Sequence, residues 1–298
     1  MKLEGLYTVM VTPFNGQGKL DQEGLRHNLR HQLQHKVNGI VVLGTTGESP
    51  TLSSQEKQRI IEIALEEVKG KVPLWVGTGS YSTERTIADT LQAQEMGADG
   101  ALIITPYYNR PTQEGFYRHF EAICQATSIP ICIYNNPSRT GQNLQTETLK
   151  RLAKFPSIIG VKESSGSITQ ITDVIEAFGK SHPDFRIVSG DDILTFPLMA
   201  LGGHGILSVA SNLVPGPIQN LVQAALAGDF VRARDWHYQL LPLFKAIFIE
   251  TNPIPIKAAM QLCGMPAGSC RLPLCDLSAA SLQHLKQVLS TLPSHWLG

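Results

Sequence analysis

At 298 residues, with 25 Lys plus Arg against 25 Asp plus Glu, the chain has the length of a single α/β barrel with a modest extension and carries no formal net charge. That balance argues against the one-sided electrostatic footprint of a nucleic-acid or membrane-surface binder, so the expected partner is a small molecule. Five cysteines without a Cys-x-x-Cys pair suggest neither a disulfide framework nor a zinc knuckle. Met1 to Thr12 lacks a signal-peptide pattern, and no apolar run approaches the ~18 residues of a membrane span, so a cytoplasmic location is expected.

Short apolar, β-branched runs bounded by turn residues predict eight strands: Leu6 to Val11, Gly39 to Leu43, Leu74 to Val76, Ala101 to Ile104, Ile131 to Tyr134, Ile158 to Lys162, Arg186 to Ser189 and Gly205 to Val209. Asp21 is placed to cap the first helix. Ser53 with Glu56 three residues later forms a capping-box pattern that opens a helix over Gln55 to Val68. Further on, Ile168, Ile171, Val174, Ile175 and Phe178 recur at three-and-four spacing, which puts them on one helix face. Strands apolar on both faces suit a parallel sheet covered by helices, and eight successive βα units predict a closed (β/α)8 TIM barrel. After Val209 the pattern is helical: Pro217 to Leu226, Phe230 to Ile249, Pro255 to Cys263 and Leu277 to Leu292. Only the first of these completes a barrel. The expected organisation is therefore a barrel over 1–228 and a C-terminal helical extension over 229–298, divided at Gly228-Asp229.

Catalytic groups of such barrels project from the carboxyl ends of strands. Polar residues follow strands two, four, five and six, over Gly44 to Ser49, Thr105 to Arg110, Tyr134 to Gly141 and Lys162 to Gly166. Lys162 ends an otherwise apolar run, where burial disfavours an ammonium and leaves an amine able to trap a carbonyl as an imine. The structural alternative is an ion pair with Glu163 or another carboxylate. Tyr134, ending the adjacent strand, can move protons, and the hydroxyls of Thr45 and Tyr108 can extend that relay. Arg139, in Pro137-Ser138-Arg139-Thr140-Gly141, offers a planar fork for a carboxylate. Taken singly, each has a plainer role: packing, a turn threonine, an interface aromatic, a surface arginine.

Six segments carry a resemblance: Gly44-Thr45-Thr46-Gly47-Glu48, Pro106-Tyr107-Tyr108-Asn109-Arg110-Pro111, Tyr134-Asn135, Pro137-Ser138-Arg139-Thr140-Gly141, Gly160-Val161-Lys162-Glu163 and Asn252-Pro253-Ile254-Pro255. Over essentially its whole length the sequence resembles the dihydrodipicolinate synthase family of pyruvate-dependent class I aldolases, the group that also contains N-acetylneuraminate lyase. The resemblance implies a lyase of diaminopimelate and lysine biosynthesis in which Lys162 holds pyruvate as a Schiff base. It implies that Thr45, Tyr134 and Tyr108 relay protons, Tyr108 reaching into a neighbouring subunit's site. It further implies that L-aspartate 4-semialdehyde is the second substrate, held by Arg139, with Thr46 and the main chain of Gly190 and Leu207 helping to position pyruvate or the lysine. A homotetramer built as a dimer of dimers is the implied assembly. A protonated imine is itself the electron sink, so no metal and no bound coenzyme are expected.

Asn136 stands where many members of that family carry an apolar residue. Ser54, Lys57, Tyr81 and Arg85 stand where lysine-inhibited relatives carry histidines, an asparagine and a glutamate. Arg85 with Lys57 nearby is expected to repel a cationic effector and leave lysine feedback weak or absent.

Other signals point elsewhere less well. His27, His31 and His35 recur at helix spacing about 200° from Leu25, Leu29 and Leu33 on the ~100° step of an α-helix, which reads as a solvated face. Gly77 to Ser82 lacks the third glycine of a dinucleotide fingerprint. Gly202-Gly203-His204-Gly205 reads as a tight turn at the barrel's lower end, and Asp191 and Asp192, which follow strand seven, read either as acids or equally as helix N-terminal caps. N-acetylneuraminate lyase and 2-keto-3-deoxy sugar-acid aldolases share the Lys162 and Tyr134 chemistry but usually lack the loop arginine. A catalytically silent scaffold barrel would tolerate loss of the relay, whose members are all present.

Overall fold

The computed structural model describes residues 2–179 and 182–297; residues 1, 180, 181 and 298, which include the outer ends of the two expected segments, lie outside the described residues. Eight strands close in sequence order into a parallel barrel: β1 (Gly5–Val9), β2 (Gly39–Val42), β3 (Leu74–Gly77), β4 (Gly100–Ile104), β5 (Ile131–Asn135), β6 (Ile158–Glu163), β7 (Arg186–Ser189) and β8 (Gly205–Ser208). Closure sets Tyr7 of β1 opposite Leu207 of β8. The fold expected from the apolar runs is present, with strand ends shifted only slightly.

Alternation along the strands makes two cores. The inward residues Tyr7, Val9, Val41, Trp75, Cys132 and Leu207 pack with Tyr134 and Val188 inside the barrel. The outward residues, among them Ile40, Ile103, Ile133 and Val161, meet the helices. Trp75 fits because Gly100 lies opposite it, where an added Cβ would stand 2.6 Å from the indole ring. The interior below the catalytic end is thus solid side chain rather than channel.

Local signals acted where they were read. Asp21 caps the helix Gln22–Gln34 by accepting from the Gly24 N–H at 2.9 Å. Ser53 and Glu56 form the reciprocal capping box of the helix Ser54–Val68, at 3.2 Å and 2.9 Å. After β8 come helices Pro215–Leu226, Phe230–Ala246, Ile254–Leu262 and Ala279–Thr291. Leu240, Phe244, Met260 and Leu285 of the last three join the outer core of the barrel. Among the described residues no helix is long and apolar enough to cross a membrane.

The histidine face needs one correction. His27 and His35 are exposed, but His31 is half-buried, and burial, with its two histidine neighbours, lowers its imidazole to about 4. A helix in the outer ring of a barrel is flanked on both sides as well as underneath, so its covered stripe is wider than the leucine row.

Candidate active site

The register of β5 and β6 sets Tyr134 opposite Lys162 and Asn135 opposite Glu163. Successive side chains face opposite sides of a strand, so Lys162 and Tyr134 enter the barrel while their neighbours turn to the helices. Lys162 is 4% exposed, and its Nζ lies 4.2 Å from the centre of the Tyr134 ring. Glu163 instead accepts from Asn135 Nδ2 at 3.1 Å and from the Ser165 N–H at 2.6 Å; burial raises its carboxyl against those bonds. The Lys162–Glu163 pair that would have made the lysine structural is not formed, and among the described residues Lys162 has no salt-bridge partner. Gly190, just past β7, completes this wall. A Cβ there would lie 2.6 Å from Lys162 Cε and 1.9 Å from Ser164 Oγ, so the lysine stem passes directly over the glycine.

Tyr134 is buried, which by itself would raise its phenol. The Lys162 ammonium, the Asn136 amide that donates to the phenol oxygen at 2.8 Å, and the Arg139 guanidinium together outweigh burial and bring the phenol below its ordinary value. A proton can therefore leave this phenol more readily than an ordinary tyrosine's. Beside it, the buried Ser164 hydroxyl makes no well-formed hydrogen bond, although it is near enough to favour the phenolate.

A cavity of about 730 Å³ opens above these groups, lined by Thr45, Tyr134, Arg139 and Asn252 among others. Thr45 belongs to the tight turn after β2 and Arg139 to the single helical turn Pro137–Thr140 after β5. Thr46 lies behind Thr45, its hydroxyl accepting from Asn252 Nδ2 at 3.0 Å, while the Asn252 carbonyl accepts from Arg139 Nη2 at 3.0 Å. Leu207 is fully buried in the inner core. Tyr108 is the exception. It is 90% exposed, does not line this cavity, and holds a left-handed backbone at φ +69°, a conformation that costs a bulky residue about 1–3 kcal/mol.

Several contributors escaped the sequence reading. Asn252 was legible only as part of a motif, and its bridge between Thr46 and Arg139 spans the length of the barrel sequence. Glu48, in a left-handed conformation at the end of the Thr45 turn, is paired in the interior with Lys257 at 2.7 Å. The lysine's other two protons go to the carbonyls of Thr12 and Ser269, both at 3.1 Å, and the second Glu48 oxygen accepts from the Arg271 N–H at 2.8 Å. Burial lowers the Lys257 ammonium, opposed by Glu48. Asp191 is a cap, as read, accepting from the Ile193 N–H at 3.3 Å. Asp192 is not: its carboxylate accepts from Ser208 Oγ and the N–H groups of Val209 and Ala210, and complete burial pushes it up to about 6 in spite of them. His204 accepts at Nδ1 from the Ile187 N–H, in the turn at the amino-terminal end of β8. On the far wall of the cavity stand Lys57, Tyr81 and Arg85, the last ion-paired with Asp89 at 2.9 Å.

Comparison with known proteins places this geometry. The family model described as the dihydrodipicolinate synthetase family matches residues 2–292. The chain is 64% identical to a 4-hydroxy-tetrahydrodipicolinate synthase of Protochlamydia amoebophila, with 100% of this chain and 99% of the relative covered. It is 47% identical to the enzyme of the same name from Methanoculleus marisnigri, covering 96% and 98%. A crystal structure of dihydrodipicolinate synthase from Thermotoga maritima superposes with a TM-score of 0.96 at 42% identity, over the full length of both chains. A barrel with a buried lysine and a tyrosine facing each other at its catalytic end, matched in sequence and in structure along its whole length, belongs to the dihydrodipicolinate synthetase family.

Proposed function

We propose that the chain is a lyase that condenses pyruvate with L-aspartate 4-semialdehyde through an imine on Lys162, the 4-hydroxy-tetrahydrodipicolinate synthase reaction of diaminopimelate and lysine biosynthesis. The observation that carries the reading is a buried lysine that forms no salt bridge among the described residues and faces a phenol whose proton is loosened, that phenol and a guanidinium lining the cavity above. Tyr134 first passes its loosened proton outward through Thr45; the phenolate then takes the proton that Lys162 must lose, and the amine attacks the keto carbon of pyruvate. Tyr134 returns its proton to the former keto oxygen, which leaves as water, and the phenolate then takes a methyl proton while the electrons of that C–H bond flow into the protonated imine to form the enamine. The enamine carbon then attacks the semialdehyde carbonyl, and the substrate's own amine displaces Lys162 as the ring closes.

Arg139 receives the semialdehyde carboxylate. One of its N–H groups is engaged by the Asn252 carbonyl, and the rest of the fork is free of acceptors among the described residues. Thr46 and the main chain of Gly190 and Leu207 frame the lysine and pyruvate. Thr45 passes protons between Tyr134 and the outside of the site, with Tyr108 completing the relay from a neighbouring subunit. The exposed, strained Tyr108 supports that reading, since such a backbone persists only where something compensates it. The assembly is then a homotetramer built as a dimer of dimers, working in the cytoplasm. Residues 229–298 act as an extension that braces the barrel, supported by Lys257 and Arg271 reaching back to Glu48.

Intact mass after borohydride treatment with pyruvate, followed by a product assay with the semialdehyde in wild type and Lys162→Ala, tests the reading. An adduct on Lys162 with turnover supports it. An adduct without turnover points to a sugar-acid aldolase, and the absence of an adduct overturns the mechanism.

A further inference from the structure

We propose that Asn136 is a positioning residue for Tyr134, orienting its phenol for proton transfer while holding the turn that carries Arg139. The inference rests on the proposed imine chemistry at Lys162. Asn136 is buried, and its Nδ2 lies 2.8 Å from the Tyr134 oxygen. Which end of the amide faces the phenol is decided by the opposite end. Asn136 Oδ1 accepts from the Arg139 main-chain N–H at 3.2 Å and from Ser138 Oγ at 2.7 Å. A main-chain N–H can only donate, so the carbonyl oxygen must face Arg139 and the NH2 must face Tyr134.

Two consequences follow from chemistry alone. An amide N–H occupies a lone pair of the phenol oxygen and cannot accept the phenol's proton, so that proton is turned to other acceptors. The same N–H also favours the phenolate over the phenol. The direction of the Tyr134 shift agrees, with the Asn136 amide among its causes. Meanwhile Oδ1 caps the helical turn Pro137–Thr140, so one side chain sets both the proton-shuttling oxygen and the backbone from which Arg139 extends. An apolar side chain at 136 would supply neither contact, and an aspartate would supply only the second.

The experiment compares wild type, Asn136→Asp and Asn136→Val. The aspartate keeps an oxygen for the Arg139 cap but, ionised, presents an acceptor to the phenol. The rate of borohydride-trapped pyruvate adduct is measured across pH, together with kcat and KM for the semialdehyde. In Asn136→Asp the trapping rate is expected to fall about tenfold. The limb of its pH profile governed by Tyr134 should move up by about one pH unit, while KM for the semialdehyde stays within about threefold. Asn136→Val should lose trapping rate similarly and also raise that KM as the Arg139 turn loosens; if it fails to fold, the aspartate variant decides alone. An Asn136→Asp enzyme with wild-type trapping and an unmoved limb would overturn the proposal and leave Asn136 as a cap. Absence of any adduct in wild type would overturn the imine reading and this inference with it, and the wild-type control keeps the two failures apart.

Discussion

Gly190→Ala tests whether Lys162 is held where the chemistry requires it. The backbone of Gly190 lies outside the left-handed region, so alanine is conformationally admissible and the effect comes from the Cβ alone. That atom would stand 2.6 Å from Lys162 Cε, 2.9 Å from Cγ and 1.9 Å from Ser164 Oγ. Carbon atoms in ordinary contact sit about 3.5–4.0 Å apart, so the lysine stem must retreat by about 1 Å. A displacement of that size at a reacting atom costs about 100-fold in rate, or about 2.7 kcal/mol in the barrier. Overpacking lowers stability by a further 1–3 kcal/mol or so, which leaves the barrel folded. The assay is the initial rate of pyruvate adduct formation by borohydride trapping, with thermal unfolding in parallel. Adding Ser164→Ala should recover part of the stability without restoring the rate, because it removes the hydroxyl overlap and leaves the lysine overlap. Trapping by Gly190→Ala within threefold of wild type would refute the claim that the glycine sets the lysine's position.

Three further outcomes are expected. Lys257→Met leaves the Glu48 carboxylate buried without its ammonium and should cost about 3–5 kcal/mol in urea unfolding; a loss under about 1 kcal/mol would show that the carboxylate finds other partners. Glu56 titrates at about 2 rather than 4.5, chiefly because the Arg271 guanidinium binds it, against burial and with help from Ser53. A depressed carboxyl contributes stability above its ordinary value and loses it as pH falls from 4.5 through 2. At 24% exposure that contribution is about 1–2 kcal/mol after screening, so the stability gap between wild type and Arg271→Gln should be present at neutral pH and close over that acid window. A gap that persists at the acid end would assign it to the other Arg271 contacts, with the Gly18 and Thr51 carbonyls. L-Lysine should inhibit turnover weakly or not at all, since the wall that holds Lys57 and Arg85 has Asp89, already paired with Arg85, as its counter-charge and stays net positive; half-inhibition at submillimolar lysine would contradict this.

Much of this molecule is written locally. The eight apolar runs became the eight strands because a parallel barrel buries both faces of every strand, which leaves no alternation to confuse the reading. Asp21 and the Ser53–Glu56 pair acted as caps because a cap needs only residues two or three positions away. Lys162 stood out as a charge at the end of an apolar run, and strand alternation then turned it inward and Glu163 outward. Closure decided the rest. Barrel closure and the C-terminal helices brought Asn252 to Thr46 and Arg139, and Lys257 to Glu48, from more than 100 positions away. No periodicity encodes such contacts, because they depend on where chain ends meet in space. Asn136 shows the limit most clearly: it is two residues from Tyr134, yet the end of its amide that reaches the phenol depends on a turn that exists only once the Arg139 loop has folded. The sequence by itself thus determined the barrel and the lysine at the end of its sixth strand through local pattern, and the tertiary structure decided the lysine's neighbours, because side-chain orientation is settled by packing and hydrogen-bond satisfaction rather than by position along the chain.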